Sequence, residues 1–218
     1  MKRGLTILSI TAIMAFLSCS KEQIKGEEPV ITENRNVSGF TEVAVSGSTN
    51  VYVTQGANFK VDIKGYSNLL PYFETKLNGT TLQLGFKQNV NVKNDNTEVF
   101  ITLPVLSGLK IDGSASIHTT GVFNGATDFT ASISGSGNIH FSSGSTERFS
   151  STIAGSGNIY ALNMIAESAE ANISGSGNTE ITAIHSLKVK IAGSGNVYYL
   201  GTPAITTTIS GSGAVIPK

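Results

Sequence analysis

Short runs of alternating apolar and polar residues, bounded by Gly and Ser, recur along most of the chain. Four clear examples are 129–133, 149–153, 188–191 and 206–209. Their apolar positions repeat with a period of two and show no 3.6-residue periodicity, which is typical of half-buried β-strands and not of amphipathic helices. The pattern therefore predicts an all-β protein built from many short strands.

The strands are punctuated by one motif, Ile-x-Gly-Ser-Gly-Asn followed by Ile, Val or Thr. Its regular copies begin at Ile133, Ile153, Ile173, Ile191 and Ile209, at spacings of 20, 20, 18 and 18 residues, and the last copy carries Ala214 in place of Asn. Two degenerate copies lie upstream, at 45–51 and 111–117, separated by 66 residues. One turn motif per period of this length indicates a solenoid whose units bury their apolar faces by stacking on one another.

We therefore expect residues 37–218 to form a single β-helix-like solenoid with rungs of about 18–22 residues and a less regular N-terminal part. The 66 residues between the upstream copies correspond to about three periods, so about nine rungs are expected in all.

The motif has a physical explanation. The residue two positions before its first Gly and the one four positions after it should both point inward and form an aliphatic ladder. Gly suits a corner with positive φ or crowded backbone, while Asn can bond to the copies above and below it. These structural turns comprise Gly135, Gly137, Asn138, Gly155, Gly157, Asn158, Gly175, Gly177, Asn178, Gly193, Gly195, Asn196, Gly211 and Gly213.

The region between the upstream copies carries different signals. The segments 72–77 and 80–84 flank Asn78-Gly79, which predicts a β-hairpin with a type I′ turn. Before it, 68–71 indicates a loop or a single helical turn, because Pro71 disfavours helix at Leu70. Residues 97–103 predict a strand ended by Pro104.

Composition agrees with this picture. The chain has 24 Gly but only 5 Pro, no Trp, and 14% charged residues, which is unlike a helical bundle or coiled coil. Fifteen basic and fifteen acidic residues leave no net charge to attract nucleic acid, so no nucleic-acid partner is expected.

The N-terminus has the features of a secretory signal. Lys2 and Arg3 precede an apolar run over 5–17 that is shorter than the ~20 residues a membrane-spanning helix needs. Cys19, which follows this run, is the only cysteine, so no disulfide can form within the chain. The alternative is an incidental cysteine within a discarded leader.

The stretch Phe16-Leu-Ser-Cys19 resembles a bacterial lipobox. The resemblance implies a lipoprotein signal peptide over 1–18, lipidation of Cys19, and attachment to the membrane through more than one acyl chain. Ser20 in the next position is similar to outer-membrane sorting signals, so we expect the protein at the outer membrane, on its periplasmic or cell-surface face. Residues 19–36 have few large apolar side chains and predict a flexible tether.

Several segments together resemble a known family. These are the recurrent Gly-Ser-Gly-Asn motif, 40–47 with 51–56, and 101–104 leading to 109–113. They are similar to the family described as putative auto-transporter adhesin, head GIN domain, over roughly residues 37–218. The resemblance implies a β-helical envelope protein, typically of Bacteroidetes, with a role in adhesion. It supplies no catalytic residues to carry over.

Other chemistry is poorly supported by the residues. The Gly-Ser-Gly strings lack the third Gly and the following helix of a dinucleotide site. All four Asp precede the regular repeats, which disfavours both calcium-binding β-roll repeats and the clustered Asp of polysaccharide lyases. His118 and His140 align in adjacent copies, but two imidazoles without a clear third ligand make a poor zinc site. No enzyme activity, cofactor or bound metal is expected.

One row of side chains is a candidate binding surface. The fifth position after the first motif Gly should point outward and stack from rung to rung. It holds Tyr52, His118, His140, Tyr160, Glu180, Tyr198 and Ile216, of which His118, His140, Tyr160, Glu180 and Tyr198 form the candidate stripe. Aromatic faces with polar edges suit carbohydrate or peptide ligands, so the row is a candidate binding stripe. Alternatively, these are ordinary surface residues of a sheet.

The sequence thus favours a cell-envelope adhesin or recognition module that binds glycan, an envelope protein or a host protein through its β-surface. A structural envelope protein that forms homo-oligomers through its open solenoid ends is the first alternative. A polysaccharide-active enzyme is the least favoured.

Overall fold

The computed structural model describes residues 22–218, and the chain is nearly all-β within them. A single 3-10 turn spans Leu70–Tyr72. The strands in chain order are β1 Glu22–Lys25, β2 Val30–Asn34, β3 Glu42–Gly47, β4 Asn50–Gln55, β5 Lys60–Tyr66, β6 Phe73–Asn78, β7 Thr81–Phe86, β8 Val90–Lys93, β9 Glu98–Leu103, β10 Gly108–Gly113, β11 Ser116–Thr120, β12 Phe123–Gly135, β13 Asn138–His140, β14 Gly144–Gly155, β15 Asn158–Gly175, β16 Asn178–Gly193, β17 Val197–Leu200, β18 Ala204–Gly211 and β19 Val215–Pro217.

The strands wind into a β-solenoid, as the repeat predicted, and it has about six turns. Segments that end at the first motif Gly stack in parallel as face A, in the order β3, β10, β12, β14, β15, β16, β18, and β7, which carries no motif, pairs with the free side of β3. Segments that start after the motif stack in parallel as face B, in the order β4, β11, β13, β15, β16, β17, β19, and β9, which also carries no motif, pairs with the free side of β4. The long strands β15 and β16 bend through a third side between the two faces.

The expected count of nine rungs is wrong, because the two degenerate copies lie on adjacent rungs. Gly47 pairs in register with Gly113, and Val51 pairs with Ile117. The segment between them leaves the rung and folds over the N-terminal end of the solenoid. There it adds β7 and β9 on the other side of the first rung, together with antiparallel pairs β5–β9 and β6–β7.

The hairpin β6–β7 forms as predicted, but its turn is displaced by one residue. Asn78 pairs with Thr81, so the two turn residues are Gly79 and Thr80. Gly79 has φ of 60° and Thr80 does not have positive φ, whereas the predicted type I′ turn needs positive φ at both turn residues. The 3-10 turn lies close to the predicted helical turn, and β9 ends at Leu103, before Pro104.

The flexible tether predicted over 19–36 is not what the structure shows for its described part. β1 pairs in parallel with β8, and β2 pairs antiparallel with β5. Arg35 continues this attachment, since its backbone N–H donates to the Val61 carbonyl at 2.8 Å. Edge strands of a sheet accept polar, weakly apolar sequences because only one side is covered, and this is why the composition of 22–36 did not reveal them.

The core is the aliphatic ladder inside the rungs. The inward positions of the motif include Ile133, Ile153 and Ile159, each at most 1% exposed. Phe129 and Phe149 fill the wider part of the interior. The ladder is interrupted by Thr179, whose side chain is fully buried at a position where the neighbouring rungs carry Ile159 and Val197.

The motif corner shows why both glycines are needed. Gly155 has φ of +134°, and a Cβ added there would lie 2.2 Å from the Gly135 carbonyl oxygen on the rung below. At Gly157 the φ is unremarkable, but an added Cβ would lie 2.2 Å from the Gly137 oxygen. The first position therefore requires glycine because of both its positive φ and the lack of space for a Cβ. The second requires glycine only because the stacked rungs approach so closely.

Candidate functional site

The predicted stripe lies on face B, on the outward side of strands that begin just after each motif corner. In-register pairing joins His118 to His140, His140 to Tyr160, Tyr160 to Glu180, and Glu180 to Tyr198. Alternation along each strand places these side chains outward, because their neighbours such as Ile139 and Ile159 are buried. The structure thus brings all five predicted residues into one row.

The row extends beyond the predicted residues. His118 pairs on its other side with Tyr52, and Tyr52 pairs with Phe100. We call the seven residues the outward row, which comprises Phe100, Tyr52, His118, His140, Tyr160, Glu180 and Tyr198. Phe100 belongs to β9, which carries no motif, so only strand pairing places it here. The count of five residues from the first motif Gly already predicts Tyr52, from Gly47, and also Ile216, from Gly211, which pairs with Tyr198 at the other end.

Five of these side chains form a continuous stack of rings, the ring stack. Its successive centroid distances are 5.1 Å for Phe100–Tyr52, 5.8 Å for Tyr52–His118, and 4.6 Å for both His118–His140 and His140–Tyr160. Interplanar angles are 14°, 20°, 2° and 16° in the same order. Stacked aromatic pairs at these separations are favourable beyond the area they bury.

The stacking changes the predicted chemistry of the stripe. Because the rings lie face to face along the solenoid axis, their faces are covered by one another and their edges point to solvent. The surface is therefore a line of hydroxyl and imidazole edges, not the series of open aromatic faces expected for sugar stacking. A ligand laid along it would meet a hydrogen-bonding group on every strand of the ring stack except that of Phe100.

Glu180 and Tyr198 continue the row with a different arrangement. Glu180 Oε1 accepts a hydrogen bond from Lys218 Nζ at 2.6 Å, and the same ammonium lies 5.6 Å from the Tyr198 ring centroid. Glu180 separates Tyr160 from Tyr198, so the second tyrosine does not join the ring stack. This end of the row is charged, whereas the ring stack is neutral when its imidazoles are unprotonated.

Burial and a like-charged neighbour both act on His140. Partial burial of its imidazole lowers its pKa below the usual value, and the adjacent His118 lowers the pKa further. Both effects favour the neutral form of the His140 imidazole. The part of the chain that the structure describes holds no group of three or more His, Cys, Asp or Glu side chains placed to bind a metal.

An asparagine ladder runs beside the outward row. Asn158 Nδ2 donates to Asn138 Oδ1 at 3.0 Å, and Asn158 Oδ1 accepts from both the backbone N and Nδ2 of Asn178. Asn196 repeats the pattern on Asn178, and the Ala214 backbone N donates to Asn196 Oδ1 at 3.0 Å. The ladder fixes the corner from which each outward side chain projects.

Two other predicted features lie apart from the row. His185 is exposed on the third side, with Nδ1 3.1 Å from Glu167 Oε2. Cys19 and the signal peptide lie outside the described residues. In residues 22–218 no helix is long and apolar enough to span a membrane.

Comparison with known proteins identifies the chain's relatives. The family model described as "Putative auto-transporter adhesin, head GIN domain" matches residues 39–203, which confirms the resemblance found in the sequence. No functionally curated protein matches.

Solved structures share the fold. A putative adhesin from Bacteroides fragilis aligns with a TM-score of 0.75 at 22% identity, covering 89% of this chain and all of the other. A putative lipid binding protein from Parabacteroides distasonis aligns at 0.56 and 24% identity, covering 90% and 100%. A putative adhesin from Parabacteroides merdae aligns at 0.55 and 21% identity, covering 90% and 99%.

Proposed function

We propose that this chain, which belongs to the auto-transporter adhesin head GIN domain family, is a cell-envelope lipoprotein that binds an extended glycan or protein segment through the outward row of face B. The row is the single observation that carries the proposal. It presents six polar side chains and Phe100 in register on neighbouring strands of face B, and five of the seven are stacked on one another.

The geometry of the row favours a long ligand over a compact one. Rungs repeat about every 4.8 Å, so the row offers a hydrogen-bonding edge at nearly constant intervals along the solenoid. Tyr52 is held in place at its phenol, whose Oη lies 3.4 Å from Glu98 Oε1. Stacking restrains the imidazoles and Tyr160 in the same way, so little side-chain entropy is lost when a ligand binds.

Adhesion through this row can be tested on arrays. The purified protein is applied to immobilised glycans, extracellular-matrix proteins and envelope proteins, and compared with a variant in which His118, His140 and Tyr160 are all alanine. We expect the variant to lose binding to whichever ligand the native protein retains. Tyr72→Ala, which removes a half-buried ring from the cap, should bind normally. Equal binding by the triple variant would contradict the proposal.

Attachment to the outer membrane through Cys19 is tested separately. Labelled palmitate should enter the native protein and not Cys19→Ala, and the native protein should fractionate with outer membranes. Protease treatment of intact cells, with a periplasmic protein as leakage control, then distinguishes the cell-surface face from the periplasmic face. Release of the native protein into the soluble fraction would contradict lipid anchoring.

Self-association is a second candidate, supported by one observation. On β18, Ile205 and Ile209 are 39% and 41% exposed, whereas their in-register partners Leu187 and Ile191 on β16 are at most 2% exposed. Apolar side chains beside an uncovered strand edge favour pairing with a second copy. Sedimentation of the native protein over a wide concentration range should show dimers that Ile209→Lys abolishes. A native protein that stays monomeric throughout would exclude this candidate.

A further inference from the structure

We infer that face A carries a saccharide-binding cleft centred on Ala44, sized for one neutral pyranose unit. The inference deepens the proposed recognition function by naming a ligand class. It uses a different surface from the outward row, so it can fail while the proposed function stands.

The cleft exists because Ala44, with a very small side chain, occupies an outward position between longer neighbours. It lies in register between Gln83 on β7 and Lys110 on β10. On β10, Gly108 lies in register with Glu42, which precedes Ala44 by two residues on β3. In the row of Ala44, the rung after Lys110 carries Ser132, and later rungs carry the longer side chains Thr152, Asn172 and Lys190. The depression is therefore confined to the first rungs of face A.

Gly108 is kept free of a side chain by its neighbours. An added Cβ would lie 2.8 Å from Thr130 Oγ1 and 3.1 Å from Glu42 Cγ. These two side chains lean across the glycine from either side and form one wall of the cleft. Thr81 Oγ1 donates to Glu42 Oε2 at 2.7 Å and so holds the carboxylate in place.

The cleft has the size and polarity of a small-ligand site. Its volume is about 440 Å³, within the ~300–1,000 Å³ range of ligand pockets. Its polar lining comprises two carboxylates, one amide, one ammonium group and four hydroxyls, contributed by Glu42, Asp112, Gln83, Lys110, Ser46, Thr81, Thr130 and Ser132.

This set of groups fits a polyhydroxylated neutral ligand. Carboxylates accept, the ammonium donates and the amide does both, so adjacent ring hydroxyls can be bonded as donors and acceptors together. The cleft has two carboxylates and one ammonium group, and this net negative charge disfavours the binding of phosphate or sulfate groups. Among the described residues no aromatic ring lines the cleft, which leaves a nucleobase nothing to stack on. The small side chain of Ala44 at the floor leaves room for the C–H surface of a sugar ring.

The test is an NMR titration. Isotope-labelled protein is titrated with methyl glycosides of glucose, galactose, mannose and N-acetylglucosamine, and the change in the backbone amide chemical shifts is measured. We expect at least one glycoside to shift the amides of Ala44, Gly108 and Lys110, with millimolar affinity. Ala44→Gln fills the floor and should weaken binding at least about tenfold. Thr152→Gln places the same side chain at the equivalent position of a later rung and should leave binding unchanged.

A second pair of variants covers the case in which Ala44→Gln misfolds. Lys110→Ala should weaken binding. Lys190→Ala should not, although Lys190 stands at the equivalent position of a later rung of face A. If no glycoside shifts the cleft amides, or if both cleft variants bind as the native protein does, the inference is wrong. Loss of glycoside binding in the His118, His140 and Tyr160 triple variant, with full binding by Ala44→Gln, would overturn the cleft and support the outward row. If arrays show ligand capture through the outward row while no glycoside binds, the proposed function holds and this inference fails.

Discussion

His118 and His140 stack in parallel on adjacent rungs, with ring centroids 4.6 Å apart and planes only 2° apart. Each copy of the motif projects its fifth residue at the same angle, so the backbone repeat itself brings the two imidazoles together. The pair lies within the ring stack, between Tyr52 on one side and Tyr160 on the other.

The first prediction concerns pH. Burial and His118 lower the pKa of His140 in the folded state, so the unfolded chain binds a proton more readily. Stability should fall as pH drops below the unfolded value of about 6.5, and the loss should level off below the lowered folded pKa. Urea unfolding at a series of pH values measures this. His140→Gln should flatten that part of the profile, whereas His185→Gln should not; identical profiles for all three proteins would refute the prediction.

The second prediction concerns the motif corner. Gly155→Ala combines an unfavourable φ with a Cβ 2.2 Å from the Gly135 oxygen, so the rungs must separate locally. We expect a loss of about 3 kcal/mol or more in the free energy of unfolding. Gly125→Ala is the matched control, because its φ is +94° but nothing lies within 4 Å of the added Cβ. Chemical denaturation compares them, and equal losses would show that space between rungs does not matter.

The third prediction concerns the asparagine ladder. Asn158→Ala leaves the Asn178 backbone N–H without its 3.1 Å acceptor and removes two side-chain bonds. Loss of an acceptor from a half-buried donor should cost about 1–3 kcal/mol, measured by thermal or urea unfolding. Asn172→Ala is the control, since its amide makes only a 3.5 Å bond to Glu170. A control variant as unstable as Asn158→Ala would contradict this account.

The fourth prediction is a stabilisation. Thr179 is fully buried in the aliphatic ladder, and its hydroxyl has no hydrogen-bond partner among the described residues. Thr179→Val keeps the shape, removes the unsatisfied hydroxyl and should raise the free energy of unfolding by about 1–2 kcal/mol. Ser151→Ala should act in the same direction, because Ala131 and Ala171 occupy the same position on adjacent rungs. A lower melting temperature for Thr179→Val would show that the hydroxyl has an unrecognised role.

Much of the regular solenoid was predictable because one local motif sets each corner. The period of the glycines, the inward Ile ladder and the alignment of His140 with Tyr160 all follow from counting along the chain. Register between stacked rungs is fixed by that count, so six of the seven members of the outward row follow from the sequence alone, and Phe100 is the exception.

The remainder depended on contacts between residues distant in sequence. Nothing near Phe100 shows that β9 stacks beside β4, and the composition of 22–36 resembles a tether although β2 pairs with β5. The Ala44 cleft was missed for the same reason, since Gln83 and Lys110 reach it from strands 39 and 66 residues further along the chain. The orientation of the rings could not be predicted either. The sequence pattern predicts which residues share the row, but it does not predict that their rings stack face to face.

The adjacency of the rungs at Gly47 and Gly113 divides the molecule into two parts with different tolerances for change in chain length. From β10 onward each rung contacts mainly the rungs just before and after it, so a duplication or deletion of one 18- to 20-residue unit preserves every local pairing. The cap, by contrast, closes on itself through long connections and cannot gain or lose a unit without breaking them. Related chains could therefore vary in the number of regular rungs while keeping one N-terminal cap, and the length of the outward row would vary with them.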